Sequence, residues 1–129
     1  MVDFFKHIEF NKGVPAKGKL LISEPFMFDF NFKRTVILIA QHSSSEGTTG
    51  FVLNRKSEYL ISDVYPEFCE PSLPVFIGGP VGKEFLFFIH RLGDQIEDTQ
   101  HIVSDLYWGG NLEQINDLLK NKSITPNDI

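Results

Sequence analysis

Thr35-Val36-Ile37-Leu38-Ile39-Ala40 is the stretch on which the fold turns. Four of its six residues are β-branched, which stiffens the side chains and suits a pleated surface. After Thr35 both faces are apolar, as in a strand at the centre of a sheet. Working outward, Gly18 to Ser23 (G-K-L-L-I-S) is a second short strand, ended by Pro25, and Phe51 to Asn54 (F-V-L-N) is a third. The polar, glycine-containing segment His42 to Gly50 reads as the loop that joins the first and third. The two strands then pair either as a hairpin or through a longer connection.

Further along, Leu60 to Tyr65 predicts a short helix stopped by Pro66, and Pro71 to Pro74 a turn region. Val75 to Ile77 predicts a strand that runs into Gly78-Gly79-Pro80-Val81-Gly82. Glu84 to Arg91 (E-F-L-F-F-I-H-R) reads as a buried strand, and Ile102 to Trp108 as another, broken by Gly109-Gly110. The clearest helix is Asn111 to Asn121. Asn111 suits the N-cap and Gln114 stands at capping-box spacing. Leu112, Ile115, Leu118 and Leu119 make one apolar face. Phe26 to Phe32 (F-M-F-D-F-N-F) is either a strand or a loop whose rings fill the core. Residues 1–17 read as an N-terminal arm, with Phe4, Phe5, Ile8 and Phe10 in one or two helical turns.

The 129 residues fit one domain better than two. Thirteen phenylalanines and a 42% hydrophobic content suffice for a core without disulfides or metals. No stretch approaches the ~18 to 20 apolar residues that span a bilayer. Asp3, Lys6, His7 and Glu9 interrupt the start where a secretory leader would be apolar, and Cys69 is the only cysteine. A reducing, cytoplasmic setting is expected. The net charge of −5 is uneven: the balance is +3 through Lys56 and −8 from Ser57 onward. The acidic total disfavours direct nucleic-acid binding, while the basic first half suits a small anion.

Several groups are candidates for chemistry. Gly78 to Lys83 (G-G-P-V-G-K) follows a strand as a phosphate loop would. However, Ile77 stands where the first glycine of that pattern belongs, and Glu84 replaces its Ser or Thr. An anion-binding backbone nest and a simple tight turn both remain open. His42 lies among Ser43, Ser44, Ser45, Thr48 and Thr49, but no G-x-S-x-G nucleophile elbow is present. His7, His42, His90 and His101 show no metal-ligand spacing, so neither a metal nor a cofactor is expected. Arg34 precedes the central strand and Arg55 ends the next. Antiparallel pairing would bring both guanidinium groups to one sheet end, where they suit a carboxylate or phosphate. The alternative is salt bridging to Asp29, Glu24 or Asp63.

Taken together, G-K-L-L-I-S-E-P (Gly18 to Pro25), Asp29, F-K-R-T-V-I-L-I-A-Q-H (Phe32 to His42), G-F-V-L-N-R (Gly50 to Arg55), V-F-I-G-G-P-V (Val75 to Val81) and F-F-I-H (Phe87 to His90) resemble the YqgE/AlgH family of bacterial proteins. The resemblance runs from Gly18 to the end and implies a single domain over residues 18–129. It implies an α+β, or αβ sandwich, fold with a mostly antiparallel sheet and flanking helices. Family chains continue with a strand and a G-Y-x-G-W-x-x-G-Q-L-type segment, so a C-terminally shortened member is expected. The shared positions it singles out are Arg34, His42, Asn54, Arg55, Gly78, Gly79, Pro80 and His90. The family name carries a regulatory gloss, often "transcriptional regulator", without a mechanism. The chain has no helix-turn-helix signal and no basic helix, which argues against direct DNA contact. The reading placed first is a module that binds a small anionic ligand or a protein partner. Behind it stand a regulator acting through protein contacts and a hydrolase using His42 or His90 as base.

Overall fold

The computed structural model describes residues 8–9, 16–23, 26, 28–29, 32–80 and 85–129. The chain divides into two units. One holds Met1–Arg55 and Phe76–Glu84, the other Lys56–Val75 and Phe85–Ile129. All sheet pairings between strands of known register are antiparallel, so the α+β class with mostly antiparallel sheet holds.

The first unit is a four-stranded sheet in the order β1 (Ile8–Glu9), β2 (Leu20–Ser23), β3 (Val36–Ser43), β4 (Gly47–Val52). The expected central strand is β3, and Ile37 to Ala40 are buried on both of its faces. Leu21, Ile37, Ile39 and Val52 form the core of one face, with Phe32 packed against it. The register Leu21↔Ile37↔Val52 puts these side chains on the same side, as a period of two requires. At Gly50 an added Cβ would lie 3.0 Å from Ile37 Cγ2, so the close approach of β4 needs a glycine there.

Three expectations change in this unit. The loop expected over His42 to Gly50 is mostly strand: β3 runs through Ser43, β4 starts at Gly47, and only Ser44 to Glu46 turn. Backbone pairing continues past the core because a ladder does not require apolar side chains. Phe26 and Phe28 do not fill the core; they are 81% and 96% exposed, and neither is in a strand. Ile8–Glu9 pairs with Ser23 and Ile22 as a strand rather than a helical turn, since the edge of β2 offers unpaired backbone groups. The rest of that turn, Phe4, Phe5 and Phe10, lies outside the described residues.

The second unit contains β5 (Lys56–Leu60), the first two residues of its partner β6 (Pro74–Phe76), the short helix α1 (Ile61–Val64), and a three-stranded sheet. That sheet has the order β7 (Ile89–His90), β9 (Leu106–Gly109), β8 (Thr99–Val103). Helix α2 (Leu112–Lys120) follows. Ile115 and Leu119 enter a core with Ile61, Phe68, Leu92, Ile96 and Ile124, and Leu112 and Leu118 flank it. Asn111 caps the helix by accepting the Gln114 N–H at 3.2 Å. Gln114 does not complete a capping box, however; its Oε1 accepts the N–H of Glu97 at 2.7 Å. At the far end the Ser123 and Lys122 amides bond back to Leu118 and Leu119, and Lys122 adopts φ 59°. That is a Schellman cap with lysine where glycine is usual.

The strand expected over Ile102 to Trp108 is a hairpin, because Ser104 (φ 50°) and Asp105 turn the chain between β8 and β9. Of the strand expected over Glu84 to Arg91, Glu84 lies outside the described residues, and among the rest only Ile89–His90 is in a strand; Leu86 and Phe88 pack on the core while Phe85 and Phe87 are exposed. Among the described residues no helix is long and apolar enough to cross a membrane, which says nothing of a β-barrel.

Candidate functional site

The site is built from the start of β3 and the end of β4. The chain entering β3 is held by short polar contacts. Asp29 Oδ1 accepts the Phe32 N–H at 3.2 Å, and Asp29 O accepts the Lys33 N–H at 2.9 Å. The buried Thr35 donates its hydroxyl to Phe32 O (2.7 Å) and its amide to Ser23 Oγ (2.9 Å). Asn54 then acts from just past the end of β4. Its Oδ1 accepts the Val36 N–H at 2.9 Å, and its Nδ2 donates to Arg34 O at 3.0 Å. Arg55 Nη2 donates to Lys33 O at 3.3 Å. Arg34 sits between these anchors at φ 54°, a left-handed backbone that costs a residue with a Cβ roughly 1–2 kcal/mol.

The glycine segment completes the same corner. Gly78 O accepts the Val52 N–H and Arg55 O accepts the Ile77 N–H, both at 2.8 Å. Gly79 and Pro80 follow directly along the chain. Arg34, Asn54, Arg55 and Gly78 are therefore gathered at one end of the sheet, as antiparallel pairing predicted for the two arginines. Lys33, which the sequence reading did not single out, adds a third cation; the K-R doublet before the strand was its only signal. Asp63, one of the three expected salt-bridge partners, instead accepts the Leu60 N–H at the start of α1. Glu24, another, lies outside the described residues.

The two histidines stand apart from this corner. His42 lies near the other end of β3, six residues from Val36, or about 20 Å along a strand. It is exposed, and its Nδ1 is 2.7 Å from Thr48 Oγ1 on the paired strand. His90 belongs to the second unit and is 1% exposed. Its Nδ1 accepts the Leu92 N–H at 3.2 Å, and its Nε2 faces Gly109 O at 3.0 Å and Thr99 Oγ1 at 2.9 Å. Burial holds its pKa below the usual imidazole value, opposed by the Gly109 carbonyl. A cavity of about 190 Å³ runs past it, lined by Ile89, His90, Arg91, Leu106 and residues 127–129. That lining includes no Ser, Thr or Cys, and the only lone pair on the His90 ring is already engaged by Leu92.

Comparison with known proteins bears on the whole chain. Residues 20–129 match the family model described as AlgH-like. The chain is 38% identical over 112 residues to a UPF0301 protein of Chlorobaculum parvum, covering 87% of this chain and 59% of that protein. It is 41% identical over 110 residues to a UPF0301 protein of Parabacteroides distasonis, covering 84% and 55%. Among solved structures it resembles the crystal structure of protein DIP2367 from Corynebacterium diphtheriae, with a TM-score of 0.66 and 26% identity over 84% of this chain and 60% of that one. The chain thus spans somewhat under two thirds of the length of the proteins it matches, and their names state no reaction, ligand or partner.

Proposed function

This chain belongs to the AlgH-like family, and we propose that it serves there as a binding module whose first unit takes a small anionic ligand, a carboxylate or a phosphate. The observation that carries the reading is the way Asn54 and Arg55 grip the backbone of residues 33 and 34. Three cationic residues, Lys33, Arg34 and Arg55, are collected on a segment whose main chain is already fixed, so little ordering entropy remains to be lost on binding. A charge-assisted bond from a guanidinium to an oxyanion contributes about 1.5–3 kcal/mol. The Gly78-Gly79 backbone brings no side chain between the ligand and the sheet end. The working place of the module is the cytoplasm.

A second reading, regulation through a protein partner, draws on another observation. Phe85 and Phe87 are 64% and 46% exposed, and Phe87 meets Trp108 edge-on at 5.6 Å. Aromatic groups left in water mark contact surfaces. A regulator of transcription acting this way would do so without touching DNA. The hydrolase reading is the weakest, because among the described residues the cavity beside His90 is lined by no Ser, Thr or Cys.

The test is a thermal-shift screen of phosphates, nucleotides and carboxylates on the wild type, Arg34→Ala and Arg55→Ala. A ligand at ~100 times its Kd stabilises the folded state by roughly 2.7 kcal/mol, a rise of several degrees for this size. The expected result is a hit that both variants lose. A hit that survives in both variants, or no hit at all, removes the anion reading and moves the weight to protein contacts.

A further inference from the structure

The second unit contains a titratable group that anion binding does not use. A carbonyl can only accept and an amide can only donate, so the contacts of His90 fix its tautomer: Nε2 carries the proton toward Gly109 O and Nδ1 keeps the lone pair for Leu92 N–H. Thr99 is consistent with this, since its hydroxyl lies 3.3 Å from Trp108 O as donor and leaves a lone pair toward Nε2. The ring is stacked on Tyr107 of β9, 6.1 Å between centroids and 10° from parallel. The Leu92 side chain is a core residue beside Ile96, Ile115 and Leu119. The site is full when the ring is neutral, and a second proton has only Nδ1 to occupy.

We infer that His90 is an acid-operated latch: a proton taken from solvent onto Nδ1 evicts the Leu92 amide and loosens the turn that anchors β7 to the core. The charged and titratable groups around it offer little to stabilise an imidazolium. From β9 comes Tyr107, whose face it stacks on; from β8 comes His101, on the far side of that ring at 5.0 Å. Arg91, next along the chain, is a cation, paired with Asp105 at 3.9 Å. Asp128 meets this strand through its backbone, as acceptor of the Arg91 N–H at 2.8 Å. Among the described residues both ring nitrogens are thus met by main-chain groups and a hydroxyl, and by no carboxylate.

The sign follows from burial. The folded protein binds this proton less readily than an unfolded chain, whose imidazole has the ordinary value near 6.5. Above that pH both states are neutral and His90 makes stability independent of pH. As pH falls below about 6.5, the open state takes up the proton first, and the folding equilibrium weakens by up to about tenfold per pH unit until the folded value is reached.

The experiment follows the His90 ring by NMR, together with amide protection at Leu92, from pH 8 to pH 5, in the wild type, His90→Asn and His101→Asn. Asparagine at position 90 keeps an acceptor for Leu92 N–H but cannot ionise. The expected result is a neutral Nε2–H ring at pH 7.5 that protonates below 6.5, with Leu92 protection and the unfolding midpoint falling in step. His101→Asn retains this acid loss and His90→Asn removes it. If His90→Asn fails to fold, the wild-type titration decides alone. A ring charged at pH 7.5, or Leu92 protection that survives ring protonation, overturns the latch.

Discussion

Replacing Arg34 with glycine separates the side chain from the backbone at the basic corner. Among the described residues, the contact that fixes residue 34 uses main-chain atoms, the bond from Asn54 Nδ2 to Arg34 O, so glycine keeps it. The left-handed φ of 54° costs an arginine roughly 1–2 kcal/mol that glycine does not incur. Against this, glycine loosens the unfolded chain by roughly 0.4–1 kcal/mol. The difference favours the variant by about 0.5–1 kcal/mol, a rise of roughly 2–5 °C in the melting midpoint for a chain of this size. Ligand affinity moves the other way. Losing one guanidinium–oxyanion bond, about 1.5–3 kcal/mol, raises Kd roughly tenfold to a hundredfold. Scanning calorimetry and a titration with the best anion from the screen, run on the same preparations, read both signs. A lower midpoint would show that the Arg34 side chain supports the fold. An unchanged Kd would show that it does not meet the ligand. Either result refutes the separation of roles.

Two further outcomes test the second unit. Lys122→Gly at the left-handed cap of α2 keeps both backbone bonds of the motif and is expected to stabilise by about 0.5–1 kcal/mol, read as a shift in urea midpoint at constant slope. Asn116 is buried on α2, where its Oδ1 accepts the Cys69 N–H at 2.9 Å and its Nδ2 donates to Glu67 O at 3.4 Å. Asn116→Ala orphans the buried end of that loop and is expected to cost about 2–3 kcal/mol, with faster labelling of the Cys69 thiol by a disulfide reagent as the independent readout.

What the sequence conveyed was periodicity, and where periodicity failed the reason was a contact distant along the chain. β3 was legible because its β-branched, two-faced apolar run admits one environment, and α2 because cap, apolar face and end charges agree. Gln114 was misread because local spacing offers it the Asn111 amide while the fold offers it Glu97, 17 residues away. The His42 to Gly50 segment was misread because polar composition was equated with loop, whereas its backbone pairs through His42↔Thr48. His90 was read as a candidate base, and its burial became visible only when Leu92, Thr99 and Gly109 supplied the partners for its nitrogens.

The convergence of Arg34 and Arg55 was legible, since strand pairing alone implies it. The conformation of Arg34 was not. Local preference puts glycine or asparagine at a positive φ, and what imposes it on arginine is Asn54, 20 residues on. Among the described residues of the first unit, Arg34 is the one non-glycine residue with such a backbone. Local rules are broken where a side chain is needed for something other than folding. That this break falls inside the basic corner, on an exposed cation, is the reason to look for the ligand there first.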